Sequence, residues 1–156
     1  MELNQIHELY LSCSAISTDT RNIETGAMFF ALKGPSFNGN KYALNAIDKG
    51  AKFAIVDEVS VPLNDKIIQV DDVLTTLQDL ARFHREYLGL PIIALTGSNG
   101  KTTTKELINK ILQQRYKTIA TNGNLNNHIG VPLTLLRMTI DTEIGIVEMG
   151  ANHAKE

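Results

Sequence analysis

The stretch "TGSNGKTT" at residues 96–103, directly after the apolar run "PIIAL", constrains this chain more than any other feature. A phosphate-binding turn needs small residues, so that backbone N–H groups can close on an anion, and a helix N-terminus aimed at it. It also needs a lysine for the outer phosphates and a hydroxyl for Mg2+. Gly97, Ser98, Asn99, Gly100, Lys101, Thr102 and Thr103 meet each need. The common pattern G-x-x-x-x-G-K-[ST] would put glycine at position 95, where Leu95 stands. What changes is the span of the loop, since Gly97 lies three residues before Gly100 instead of five. A ligand-free Gly-Lys turn is the alternative. A position between a buried strand and an amphipathic helix favours nucleotide binding.

Downstream of the loop the chain reads as a parallel α/β sheet. Leu107, Ile108, Ile111 and Leu112 give the next helix an apolar side, and "KTIAT" is a second strand. The polar loop "NGNLNNHIG" leads to Val131 and Pro132, a proline placed for the first turn of a helix. "IGIVEM" is a third strand ending at Glu148. Strand, helix, strand, helix, strand implies parallel pairing through right-handed crossovers, and ligands in such sheets bind at the carboxyl ends of the strands. Glu148 sits at such an end. On its own it reads as a solvated carboxylate; paired with the loop it reads as a Mg2+ ligand beside Thr102. Asn124, Asn126 and Asn127 leave the second strand at the same edge, as turn formers or as ligand contacts. His128 and His153 lie near these sites, whereas His7 and His84 are expected on helix surfaces or edges.

The N-terminal block is a separate small α/β unit. "AISTDTR", "GAMFFAL", "AKFAIVD" and "KIIQV" read as strands, and Tyr42, Ala43, Ala46 and Ile47 form a helical face closed by Gly50. Asp71 and Asp72 can cap a helix running to about residue 88, where Gly89 and Pro91 end it. The domain boundary is expected there, giving domains 1–88 and 89–156. Arg21 is a bidentate partner for phosphate or carboxylate, and the turn Asn38, Gly39, Asn40 opens a helix whose N–H groups suit an anion. A surface salt bridge and an ordinary helix cap explain both equally well.

Composition sets outer limits. Of 156 residues, 43% are hydrophobic and 21% charged, enough to bury a core, and a net charge of −2 offers no footprint for a nucleic-acid partner. The single Cys13 excludes an internal disulfide and a cysteine-built zinc site, and is expected as a small buried filler. "MELNQIHELYL" lacks the basic start of a signal peptide, and no apolar stretch reaches membrane-spanning length, so a cytoplasmic protein without membrane insertion is expected. A P-loop GTPase lacks support, since no guanine-reading N-K-x-D sequence is present. The sequence stops just past a strand with no helix to cover it, as a piece of a longer chain would.

Four stretches together, "STDTRNIETGAMFFALKGPSFNGNKY", "LTGSNGKTTTKE", "TNGNLNNHIGVPLTLL" and "VEMGANH", resemble the Mur ligases, the ATP-dependent amide-forming enzymes of peptidoglycan precursor synthesis. The family's phosphate loop has the T-G-[ST]-N-G-K-[ST] form, which accounts for the short spacing. Within the family, "GNLNNHIGVP" with "EMGANH" is similar to the branch that joins D-alanyl-D-alanine to UDP-N-acetylmuramoyl-tripeptide. The resemblance implies an N-terminal UDP-sugar-binding domain at 1–88 and the first part of a central ATP-binding domain at 89–156, with a C-terminal domain lying outside this sequence.

It implies ATP and Mg2+ as cofactors. Lys101 and Glu148 would be catalytic, Thr102 and Glu148 metal ligands, and residues 97–103 nucleotide contacts. Thr20, Arg21, Asn38, Gly39, Asn40, Asn124, Asn126 and Asn127 would be substrate contacts. The family often has aspartate-glycine-histidine where Asn38, Gly39 and Asn40 stand here; the resemblance carries over the loop itself and not its individual side-chain contacts to the nucleotide. Another Mur-type ligase, or a non-catalytic UDP-sugar or nucleotide-binding piece, are the alternatives. A folylpolyglutamate synthase shares the short loop but typically follows Gly-Lys with Gly-Ser, not with Thr102 and Thr103. Alone, these 156 residues are expected to bind rather than to ligate.

Overall fold

The computed structural model describes residues 1–58, 61–62 and 64–150. His153 lies outside the described residues. The chain divides into two compact units, Met1–Leu80 and Ala81–Glu156. The division falls inside a helix, eight residues before the boundary expected from Gly89.

The first unit starts with α1 (Leu3–Leu11) and continues through β1 (Ile16–Ser17), β2 (Met28–Phe30), β3 (Lys33–Gly34) and β4 (Phe37–Asn38). A 3-10 turn (Gly39–Tyr42) feeds α2 (Ala43–Asp48), followed by β5 (Phe53–Val56), β6 (Ile67–Gln69) and the start of α3 (Val73–Leu88). Strands β1, β2, β5 and β6 form a parallel sheet in that order, with Met28 opposite Phe53 and Ile55 opposite Ile68. Met28, Phe29 and Phe30 are all fully buried, as continuous apolar runs are in parallel sheets covered on both faces. Phe29, Ala54 and Val56 pack with Ala43 and Ala46 of α2.

Strand β1 is much shorter than "AISTDTR" suggested. Asp19 N–H donates to Ser17 Oγ, and Arg21 N–H donates to Asp19 Oδ1. Such local side-chain bonds turn the backbone away from the ladder. The antiparallel β3–β4 pair around Pro35 was not foreseen. His7 is buried in α1, contrary to expectation, with its ring 5.8 Å from Tyr10. Cys13 is only half-buried, and its thiol donates to Leu9 O at 3.3 Å.

The second unit holds the end of α3, then β7 (Ile92–Leu95), α4 (Lys101–Leu112), β8 (Thr118–Ala120), α5 (Gly130–Leu135) and β9 (Ile144–Glu148). Its sheet is parallel with β9 between β7 and β8. The central strand is buried, whereas β7 is not the buried strand expected: Ile93 and Ala94 are exposed and Leu95 is half-buried. It has a pairing partner on one side only among the described residues. Helix α4 also departs from its apolar pattern. Leu107 and Ile111 are 57% and 70% exposed. The side turned to the sheet instead carries Lys101, Lys105, Ile108, Asn109 and Leu112, a run at helical spacing that begins with the lysine of the loop. His84, expected at a surface, is 2% exposed, and its Nε2–H donates to Met138 O at 2.9 Å. Among the described residues no helix is long and apolar enough to cross a membrane.

Candidate functional site

The loop between β7 and α4 depends on two glycines with positive φ, Gly97 at +149° and Gly100 at +78°. A Cβ at either would meet nothing within 4 Å, so backbone conformation rather than crowding calls for glycine there. Gly100 is the N-cap of α4 and offers no side chain to the helix end. The helical ladder opens with Thr104 N–H to Gly100 O at 2.9 Å. The N–H groups of Lys101, Thr102 and Thr103 therefore have no carbonyl within the helix to bond, and they point, with the helix dipole, toward the loop. Lys101 Nζ donates to Gly97 O at 2.6 Å, which holds the ammonium over the same turn.

Strand β9 brings Glu148 to this turn. Glu148 is 1% exposed, which removes the reading of a solvated strand-end carboxylate. Its Oε1 accepts from Thr102 Oγ1 at 3.1 Å and from Asn126 Nδ2 at 2.8 Å. Its backbone N–H donates to Thr121 Oγ1 at 3.0 Å. Its Oε2 is buried with no hydrogen-bond partner among the described residues, a costly arrangement for a carboxylate oxygen unless something else binds it. Lys105 Nζ lies 3.9 Å away, close enough for charge attraction but too far for a hydrogen bond.

The asparagine-rich loop divides its labour. Asn127 Oδ1 accepts from Ile129 and Gly130 N–H at 3.2 and 2.8 Å, capping α5. Asn126 reaches Glu148 by its side chain and accepts Gly150 N–H at 2.7 Å through its carbonyl. Asn124 and His128 are exposed nearby, as are Ser98, Asn99 and Thr103 in the phosphate turn. A Cβ on Gly130 would stand 2.3 Å from Leu125 O, so the loop packs against the start of α5 backbone to backbone.

The donor set fits Mg2+. A hydroxyl and a carboxylate with one uncommitted buried oxygen are hard oxygen ligands, and Mg2+ commonly takes one or two protein oxygens with phosphates and waters completing the octahedron. No cluster of three or more His, Cys, Asp or Glu suited to a metal occurs among the described residues.

In the first unit, Asn38 and Asn40 are engaged internally. Asn38 Oδ1 accepts Asn40 N–H at 3.0 Å and its Nδ2 donates to Glu58 at 2.9 Å. Asn40 exchanges two bonds with Asp57, at 2.8 and 3.0 Å. Lys33 Nζ bridges Asp57 and Glu58 at 2.8 and 3.3 Å. Burial pushes the Asp57 carboxyl up, but the bonds from Lys33, Asn40 and Val73 N–H outweigh it and hold the group below its ordinary value. Gly39 is required by close approach, since a Cβ would lie 2.6 Å from the Ala31 carbonyl carbon.

Arg21 forks onto Asp19, at 2.6 Å for the shortest contact, and holds that exposed carboxyl down at about 2. Thr20 O accepts from Lys49 Nζ at 2.8 Å. Among the described residues no hydrogen bond or ion pair joins Thr20 or Arg21 to the 38–40 turn. Sequence reasoning missed Lys33, Asp57, Glu58, Lys105 and Thr121. Lys105 could have been found, because it lies four residues after Lys101 and so shares its helix face.

Two family models match the chain. The Mur ligase family, catalytic domain, covers residues 12–85, and the Mur ligase middle domain covers residues 95–156, from the phosphate turn through Glu148. The chain belongs to the Mur ligase family. Among curated Mur ligases, it is 44% identical to the UDP-N-acetylmuramoyl-tripeptide–D-alanyl-D-alanine ligase of Bacillus subtilis over 86% of this chain and 30% of that relative. It is 41% identical to the enzyme of the same name from Escherichia coli, over 94% of this chain and 32% of that one. A crystal structure of MurF from Acinetobacter baumannii superposes with TM-score 0.84 at 36% identity, over 99% of this chain and 36% of that chain. The MurF ligase of Thermotoga maritima in complex with ADP gives TM-score 0.80 at 31% identity, over 92% and 33%. The chain thus spans about a third of the length of these Mur ligases.

Proposed function

We propose that this chain contributes the UDP-sugar-binding and ATP-binding parts of a cytoplasmic ligase that adds D-alanyl-D-alanine to UDP-N-acetylmuramoyl-tripeptide during peptidoglycan precursor synthesis. The observation that carries the reading is the junction of Thr102, Glu148 and the buried, uncommitted Glu148 Oε2 beside a positive-φ glycine turn at a helix N-terminus. The names of its relatives supply the substrates.

A carboxylate is a poor electrophile, so amide formation needs a leaving group. Transfer of the ATP γ-phosphoryl to the terminal carboxylate of the tripeptide supplies one; the dipeptide amine then attacks the acyl carbon and expels phosphate. Catalysis is chiefly positioning and charge neutralisation between anions. Lys101 releases Gly97 O and stabilises the outer phosphates, while residues 97–100 and the first turn of α4 present backbone N–H groups. Thr102 and Glu148 would hold Mg2+, which when bound would offset phosphate charge. Asn126 keeps Glu148 oriented, and Asn124 and Asn127 flank the acceptor carboxylate. In the first unit, Thr20, Arg21 and the turn at Asn38, Gly39 and Asn40 take the UDP-sugar; Asn38 and Asn40 act by shaping the turn and Arg21 by meeting an anion.

Calorimetry of the chain with Mg·ADP and with UDP-N-acetylmuramoyl-tripeptide tests this. Binding of Mg·ADP that Lys101→Ala weakens by about tenfold or more is expected. Equal affinity in that variant would overturn the assignment of the loop.

A further inference from the structure

Lys105 is fully buried and has no part in the chemistry above. A buried ammonium is tolerated only when its three N–H groups and its charge are matched. Its Nζ donates to Thr121 O at 2.7 Å and to Gly123 O at 2.8 Å, and it pairs with Glu106 Oε1 at 3.0 Å. Three donors thus have three acceptors. Glu148 Oε2, 3.9 Å away, receives positive charge from Lys105 without receiving a hydrogen bond.

We infer that Lys105 is a positioning residue that performs two tasks at once. It clamps the backbone just after β8, from which the loop bearing Asn126 departs. It also supplies the counter-charge that lets Glu148 stay buried while Oε2 is left uncommitted for a divalent cation. A residue that bonded Oε2 directly would occupy the position it is meant to keep open. A neutral residue would leave Glu148 as an uncompensated buried charge. The Asn126–Glu148 bond then depends on both ends of one lysine contact set, since Asn126 is hung from the clamped segment and Glu148 is held opposite it. This inference rests on the proposed nucleotide site for its metal, but the clamp itself does not.

The test compares the chain with its Lys105→Met and Lys105→Met/Glu148→Gln variants, using ADP in a chelator, ADP with Mn2+, and amide hydrogen exchange. In a folded Lys105→Met variant, metal-free ADP affinity is expected to stay unchanged. The Mn2+-dependent gain should fall about tenfold to a hundredfold, the usual range for loss of a residue behind a metal ligand. Amides at 122–126 should exchange about tenfold faster. Retention of the Mn2+ gain and of amide protection would overturn the inference, as would a uniform loss of metal-free and metal-dependent affinity. If the parent chain binds no ADP, the nucleotide reading fails, and exchange at 122–126 alone decides the clamp. If Lys105→Met does not fold, the double variant should, because removing the Glu148 charge relieves the uncompensated ion. A double variant as unstable as the single one would overturn the pairing.

Discussion

Thr102 Oγ1 and Glu148 Oε1 lie 3.1 Å apart although 46 positions separate them in sequence. The contact joins the first turn of α4 to the end of β9, and so couples a hydroxyl and a carboxylate that each alone would be ordinary.

Thr102→Val keeps the shape of the side chain but removes the oxygen. The variant is expected to bind ADP without metal as well as the parent does, and to lose about tenfold or more of the gain brought by Mg2+. Titration calorimetry in the presence and absence of the metal checks this, and an undiminished gain would remove Thr102 from the ligand set.

Gly130→Ala would drive a Cβ into Leu125 O, a backbone atom that cannot swing aside. We expect a loss of about 1–3 kcal/mol in stability, the usual cost of overpacking. Chemical denaturation measures it. Gly34→Ala, where a Cβ meets nothing within 4 Å, serves as the comparison.

The Asp57 carboxyl is held below its ordinary value of 3.8 in the folded chain. A lowered acid favours the folded state when ionised, so its contribution is fully present above 3.8 and is lost as pH falls through the folded value. Asp57→Asn should therefore flatten the acid limb of the stability curve between about pH 5 and about pH 3. Unfolding followed across that interval in both proteins checks it, and parallel curves would rule out Asp57 as a source.

His84 behaves in the same sense for a different reason. Burial lowers it below 6.5, against the opposing effect of the bond to Met138 O. The neutral ring is the folded form, so stability is full above 6.5 and declines as pH falls and the ring must charge. His84→Gln can still donate to Met138 O but does not titrate. Its melting temperature should change less than that of the parent between about pH 7.5 and about pH 5.5.

The elements of the candidate site were legible where the signal is local. The glycine-lysine turn, the strand-end Glu148 and the asparagine loop each announce themselves in a few consecutive residues, and the α/β alternation orders them. What stayed hidden depends on burial. Lys105 in "KTTTKE" looks like a solvated lysine, and only the turn of α4 toward the sheet reveals it as the inward residue. Leu107 and Ile111 misled in the opposite direction, because an apolar stripe announces a face without saying what that face meets. His7 and His84 were placed outside on residue type, although both are buried, His84 with a ring N–H matched by Met138 O. The polar knot of Lys33, Asn38, Asn40, Asp57 and Glu58 was invisible because its members come from three separated segments.

The order β7–β9–β8 has a consequence for biosynthesis. Strands β7 and β8 precede β9 in the chain, and among the described strands neither has a sheet partner until β9 emerges between them. The strand that bridges them also ends in Glu148, so joining β7 to β8 and bringing that carboxylate to the glycine turn are one event. A nascent chain halted before Ile144 would expose two unpaired strand edges and an incomplete acidic site together. Any cellular device that shields exposed edges during translation would, for this protein, be guarding the candidate site as well.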